Sequence, residues 1–281
     1  MIEILQFDFM RVALVLAVLM GLTAPAIGTF IVQRRLALLG DGIGHVALTG
    51  VGFGLLTSTS PILGAVVVSA LGAVAIEVLR ARSRTGGDVA LALLFYGGLS
   101  GGVILTSLSS GNGSGLQAYL FGSIASVSRG DLYVVMGLAI AVLAIVVVFG
   151  RELFLLCQDE EVARASGLPV RFLSLLIAVT AAVTVVIAMR AIGLLLVSAL
   201  MVVPVAAAQQ LTRGFKSTML VAMAIGVLSA VAGLVGSFEY SVPPGPSIVM
   251  FAMTVFVAAV LGGILMRRRG RPDDQKAEVT G

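Results

Sequence analysis

Arg34-Arg35-Leu36-Ala37-Leu38-Leu39-Gly40-Asp41-Gly42-Ile43-Gly44-His45-Val46-Ala47-Leu48 decides how this chain is read. An arginine pair closes one long apolar tract, and a second tract begins a few residues later. That second tract opens with a carboxylate and with the only histidine in 281 residues. Asp41 and His45 are four apart, so on a helix they share one face, about one turn from each other. Ionisable groups at the mouth of an apolar span are costly and point to a pathway for a charged solute. Two plainer readings stand beside this one. Asp41 follows Gly40 and can simply N-cap the second span, and His45 can be a neutral core histidine bonded to a neighbouring carbonyl. Against these, carboxylate and imidazole are both ligands for borderline divalent metals. Glycines at 40, 42 and 44 also clear space for an ion or a second chain.

The composition around this stretch is that of a membrane protein. Hydrophobic residues make up 59%, charged residues 11%, and the mean hydropathy is +1.12. A soluble domain has about 45–50% apolar and about 25% charged residues. The 34 glycines suit close packing of helices in lipid. The formal charge of +4 is no nucleic-acid signal, because the basic residues sit at the ends of apolar segments. A single cysteine, Cys157, excludes an intrachain disulfide and a multi-cysteine metal site. Glu3 and Asp8 stand where a cleavable signal would be basic, so the first apolar segment is expected to be a retained span.

Apolar segments of spanning length recur near 11–33, 41–59, 61–79, 88–108, 131–150, 171–189, 191–208, 218–236 and 246–266. The expected fold is therefore an all-α polytopic membrane protein with about 8–9 transmembrane helices. It forms one transmembrane domain over 1–266, with a polar tail, 267–281, expected to be disordered. The eight-span count makes 191–208 re-entrant, because Pro204 interrupts it. All but Arg11, Arg129 and Arg190 of the 18 Lys and Arg lie in or beside the loops 34–40, 80–87, 151–170, 209–217 and 267–281. By the positive-inside rule that side is cytoplasmic, with the N-terminus outside and the C-terminus inside. The outer loop 109–130 starts with a Gly/Ser turn and continues with an interfacial segment, 116–124. Glu77, three before Arg80, reads as an interfacial ion pair, and Cys157 reads as packing.

The inner loop 151–170 is the second informative element. Asp159, Glu160 and Glu161 favour the start of a short helix, since acids suit its first turn. Glu160 and Arg164 are placed to pair at i, i+4. Gly167 is a natural stop, and Pro169 prevents continuation. Spacing alone leaves two readings, a helix that docks on a soluble partner or a plain surface connector.

Four stretches, in order, carry a resemblance to the membrane subunits of the zinc/manganese/iron ABC-importer family (ABC-3 type metal permeases). They are Arg34-Arg35 with Gly40-Asp41, His45, Gly50 and Gly52; Tyr119 to Ile124 with Asp131-Leu132; Glu152-Leu153 through Asp159-Glu160-Glu161, Ala163 and Gly167-Leu168-Pro169-Val170; and Gly193 to Val197 with Pro204, then Pro244-Gly245-Pro246. Their order and spacing cover most of 11–266. The resemblance implies a homodimer around a central pore, two cytoplasmic ATP-binding subunits and an extracytoplasmic metal-binding protein. It implies that Asp41 and His45 lie on the metal path. It also implies that Asp159, Glu160, Glu161, Arg164 and Gly167 belong to the coupling helix that seats in the ATPase.

This chain is not expected to hydrolyse ATP. Lys216 follows Phe215 and Lys276 follows Gln275, whereas a nucleotide-binding loop needs Gly-Lys-Ser/Thr. No permanently bound cofactor is expected, only the transported divalent ion. One chain offers two ligands and a two-fold axis would offer four, a number that suits zinc, or manganese with added waters. The reading at this level favours zinc. The alternatives are manganese or iron import by the same family, an ATP-independent secondary metal transporter, and a permease for a larger metal chelate. The scarcity of intramembrane charge argues against the secondary transporter. The Asp–His pair argues against the chelate, which needs no protein ligands.

Overall fold

The computed structural model describes residues 8–82, 87–109 and 129–269, together with Leu120 and Gly122. Every regular element within them is a helix: α1 (Asp8–Gln33), α2 (Leu39–Leu56), α3 (Pro61–Arg82), α4 (Gly87–Leu108), α5 (Arg129–Gln158), the short α6 (Glu160–Ala165), α7 (Val170–Ile192), α8 (Leu194–Leu211), α9 (Phe215–Tyr240) and α10 (Pro244–Arg269). Hydrocarbon offers no partner for backbone N–H and C=O groups, so apolar spans satisfy them internally as helices. Among the described residues eight helices are long and apolar enough to cross a membrane, and α8 adds the shorter apolar run Leu196–Leu211. The interfacial segment expected near 116–124 and the tail beyond Arg269 lie outside the described residues.

Two boundaries differ from the sequence reading. Residues 151–158 are not loop but the last turns of α5. Leu153, Leu156 and Cys157 recur at helical spacing and are buried, and the Cys157 thiol lies 3.7 Å from the Phe30 carbonyl oxygen. That apolar stripe carries the helix past the charged pair Arg151-Glu152. The second difference lies between 190 and 208. Pro204 sits inside α8 without breaking it, and the break falls at Gly193, with φ +91 and ψ 149. That conformation is open to glycine and strained for other residues. A single residue therefore separates α7 from α8. The chain then turns back, because Gly214, Phe215 and Lys216 at the start of α9 share a cleft with Arg151 and Ser166 beside α6.

The helices form an inner and an outer set. The spans of α1, α2 and α7 are each 72% buried, whereas those of α4, α5 and α10 are 22% buried and that of α3 28%. The inner set carries six of the buried polar side chains, Thr23, Thr29, His45, Ser174, Thr180 and Thr184, and the outer set presents large apolar side chains outward. Exposed Leu63, Leu71, Val147 and Leu261 are therefore in their proper solvent. The most extensive helix contact joins α2 to α4, and it depends on glycine. A side-chain carbon added at Gly98 would lie 2.6 Å from the Val46 nitrogen and 2.7 Å from the His45 carbonyl carbon. The Thr49 hydroxyl donates to the Gly98 carbonyl at 2.7 Å across the same contact. Small residues that let backbones meet are a main source of helix association in lipid.

Gly98→Ala should therefore cost about 1–3 kcal/mol through overpacking against backbone. The check is a lower thermal midpoint of the detergent-purified protein. Gly97→Ala is the control: nothing lies within 4 Å of an added carbon there, and its effect should stay within about 0.5 kcal/mol.

Candidate functional site

Asp41 is the third residue of α2. The N-cap position is Leu38, with φ −80 and ψ −4, and makes no side-chain cap hydrogen bond. Asp41 therefore does not serve as the N-cap. Its carboxylate accepts a hydrogen bond from the Ser198 hydroxyl of α8 at 3.3 Å. It also lines a hollow of about 260 Å³ with Leu38, Gly42, Leu91, Phe95 and Tyr96. An acid in the first turn faces the positive end of the helix dipole, which offsets part of the cost of half-burying it.

His45 lies one turn deeper and is 4% exposed. Its ring meets Phe95 edge-on, with centroids 4.1 Å apart and planes at 68°. Its Nδ1 is buried and has no hydrogen-bond partner among the described residues. An unsatisfied buried polar group costs about 1–3 kcal/mol, and an arriving ligand would remove that cost. Among the described residues no ion pair joins Asp41 to His45, and no three or more His, Cys, Asp or Glu side chains converge so as to hold a metal ion within one chain. The flanking glycines divide their roles. Gly42 opens on the hollow. Gly40 faces Met201 and Ser198, and an added carbon at Gly44 would lie 3.1 Å from the Leu194 side chain. Two of the three glycines thus admit α8 and not an ion.

At the other informative stretch, α6 forms as the sequence indicates. Asp159 is its N-cap, in extended conformation, and its carboxylate accepts from the backbone N–H of Glu161 at 2.8 Å and of Val162 at 3.1 Å. Glu160 and Arg164 pair at 3.1 Å. Gly167, with φ +80, ends the turn, and the Leu168 N–H donates to the Ala163 carbonyl at 3.1 Å. Only Ala163 of this helix is buried; Glu161, Val162, Arg164 and Ala165 face outward. Beside it opens a cleft of about 1230 Å³ between the end of α5, Ser166 and Leu168, and the start of α9. Glu77 pairs with Arg80 at 3.1 Å, as its spacing predicts.

The model of the ABC 3 transport family matches residues 6–263. The manganese transport system membrane protein MntC of Halalkalibacterium halodurans is 35% identical over 257 residues, covering 92% of this chain and 88% of that protein. The chain belongs to the ABC 3 transport family. The manganese import system permease protein ScaB of Streptococcus gordonii is 30% identical over 254 residues, covering 90% and 91%. Among solved structures, PsaBC from Streptococcus pneumoniae in complex with Fab contains a chain that matches with a TM-score of 0.84 and 31% identity, over 92% of this chain and 93% of that one. As an ABC 3 family member the chain is a multi-pass membrane protein, and the ATP-independent transporter reading falls away.

Membership does not single out the residues around Asp41 in this chain; the fold does. Ser198, Phe95 and Tyr96 complete the surroundings of the pair, and the sequence reading passed over all three. Ser198 is a lone hydroxyl within the apolar run 194–203, which is the only signal it gives. It stands 157 positions from Asp41.

Loss of the α6 cap is directly measurable. Asp159→Ala should loosen α6 by about 1 kcal/mol. Amide exchange over 160–166 should then be several-fold faster by mass spectrometry, with the exchange of α7 unchanged.

Proposed function

We propose that this chain is the membrane permease of an ATP-driven divalent-metal importer, and that its ion is manganese. The observation that carries the reading is a buried His45 Nδ1, without a hydrogen-bond partner among the described residues, one helical turn from the half-buried Asp41 carboxylate that lines a hollow. Carboxylate and neutral imidazole are donors that a borderline divalent cation accepts. The remaining polar neighbours, the Ser198 hydroxyl and Tyr96, are oxygen donors without a thiolate, a harder set than zinc requires. Relatives at 30–35% identity are described as manganese systems, and this replaces the preference for zinc drawn from the sequence alone.

A single chain supplies two ligands, so the site is completed by a second copy across a two-fold axis, with water filling the remaining positions. The ion is cargo and must leave again, so an open, incomplete set serves transport better than a closed cage. Helix α6, presenting Asp159, Glu160, Glu161, Arg164 and Gly167, is the face for a cytoplasmic ATP-binding subunit; this chain performs no hydrolysis itself. An extracytoplasmic metal-binding protein delivers the ion on the opposite side. ATP binding at the partner shifts the dimer between outward- and inward-facing states. The orientation follows from charge: Arg34, Arg151, Arg164 and Lys216 gather at the α6 end, which is the cytoplasmic one by the positive-inside rule. The C-terminus then lies inside a bacterial cell membrane and the N-terminus outside.

The test is uptake of radiolabelled manganese, with zinc and iron as competitors, in cells expressing the chain with its partners. Asp41→Ala and His45→Ala should each lower uptake more than about 20-fold at matched expression, consistent with loss of a charged or metal-liganding contact. Uptake that survives both substitutions would place the ion path elsewhere. Uptake suppressed by zinc at lower concentration than by manganese would make zinc the cargo.

A further inference from the structure

We propose that Arg34 is a positioning residue that ties the partner-docking helix α6 to the turn that precedes Asp41, so that movement of one is passed to the other. This rests on the ATP-driven permease reading above. Arg34 is the first residue after α1. Its N–H donates to the Phe30 carbonyl at 3.0 Å, and the Leu36 N–H donates to the Ile31 carbonyl at 2.9 Å. Between them Arg35 takes φ +59. The chain is thereby folded tightly from α1 into α2, and Asp41 follows only seven residues after Arg34.

The two neighbouring arginines have different fates. Arg35 is exposed. The Arg34 side chain is 8% exposed, and its guanidinium reaches two other elements. One Nη donates to the Ser174 hydroxyl of α7 at 2.9 Å, and the other to a Glu160 carboxylate oxygen of α6 at 3.3 Å. The second Glu160 oxygen accepts from Arg164 at 3.1 Å. One cation thus joins the α1–α2 turn, α6 and α7. Because it is withdrawn from water, its partners replace lost hydration, and a guanidinium left without them would be an uncompensated buried charge. Exposed pairs bend apart at little cost; this one resists separation from the Arg34 side.

Helix α6 has one buried residue, Ala163, and six residues in all, so apolar packing holds it only loosely to its own chain. A partner that pushes on Glu161 and Val162 therefore moves α6 easily. The Glu160–Arg34 pair converts that movement into a pull on the turn that precedes Asp41. Leu38 in that turn is 69% exposed and lines the Asp41 hollow, so a shift of the turn changes the mouth of the site directly.

The experiment uses the full permease assembled with its ATP-binding subunits in proteoliposomes, comparing wild type, Arg34→Gln, Glu160→Gln and the double variant. Two readouts are taken: metal taken up per ATP hydrolysed, and the ATP-induced spectral change of a fluorophore on Leu38→Cys, with the buried Cys157 as background. Arg34→Gln should assemble, keep ATP hydrolysis within about three-fold, and lower uptake per ATP at least ten-fold, and Glu160→Gln, on the partner-facing helix, should lower uptake per ATP to the same degree. The probe change should be lost in each, and the double variant should be no worse than either single. A purely structural role lowers assembly, hydrolysis and uptake together and leaves their ratio intact; that result overturns the proposal. So does a probe change that survives both substitutions. The probe reads the linkage whichever ion is carried, so a wild-type complex with an ATP-driven probe change but no metal uptake would count against the metal-importer reading and not against the Arg34 link.

Discussion

Helix α2 can carry a carboxylate and an imidazole into an apolar environment because glycine allows other helices to reach its backbone. At Gly98 the α4 main chain rests on the peptide between His45 and Val46. That contact and the burial of most of α2 against α3, α4, α7 and α8 exclude lipid from the pair. A polar side chain facing hydrocarbon would be strongly unfavourable, but here it faces Phe95, the Ser198 hydroxyl and a hollow. The rest of the helix arrangement follows from that need. Glycines admit the neighbours of the inner helices, with Gly50 of α2 against Gly64 of α3 and Gly21 of α1 against Val227 of α9.

The membrane character, the number of long helices and the short capped helix at 160–165 are legible in the sequence, because each depends on local composition. Runs of about 20 apolar residues mark spans, and Asp159 with Gly167 marks both ends of α6 by cap chemistry alone. The misplaced boundaries are places where tertiary packing decides. Residues 151–158 look like loop because Arg151 and Glu152 interrupt the apolar run, yet Leu153, Leu156 and Cys157 bury against α1 and extend α5. Pro204 looks like a break because proline removes a helical hydrogen bond, yet the surrounding helices hold α8 together and Gly193 turns the chain instead.

The candidate site is only half legible. Asp41 and His45 stand out by chemistry and rarity. Their surroundings do not, since Ser198 and Phe95 come from distant helices. The glycines are ambiguous for the same reason: glycine in a membrane helix signals a close approach, and only the fold shows that at 40 and 44 the approaching group is α8. Arg34 is a similar case. Its side chain is assigned by two partners 126 and 140 residues away, and the sequence distinguishes it in no way from Arg35.

His45 and Asp41 are proposed to meet the ion together. Pulsed electron paramagnetic resonance of Mn²⁺ added to the purified chain in lipid nanodiscs reads this directly, because an imidazole ligand couples its nitrogen spin to the metal. The account predicts such a nitrogen coupling in the wild type, its loss in His45→Ala, and weakened binding without loss of the coupling in Asp41→Asn. Bound manganese with no nitrogen coupling, or with a coupling that persists in His45→Ala, would contradict it.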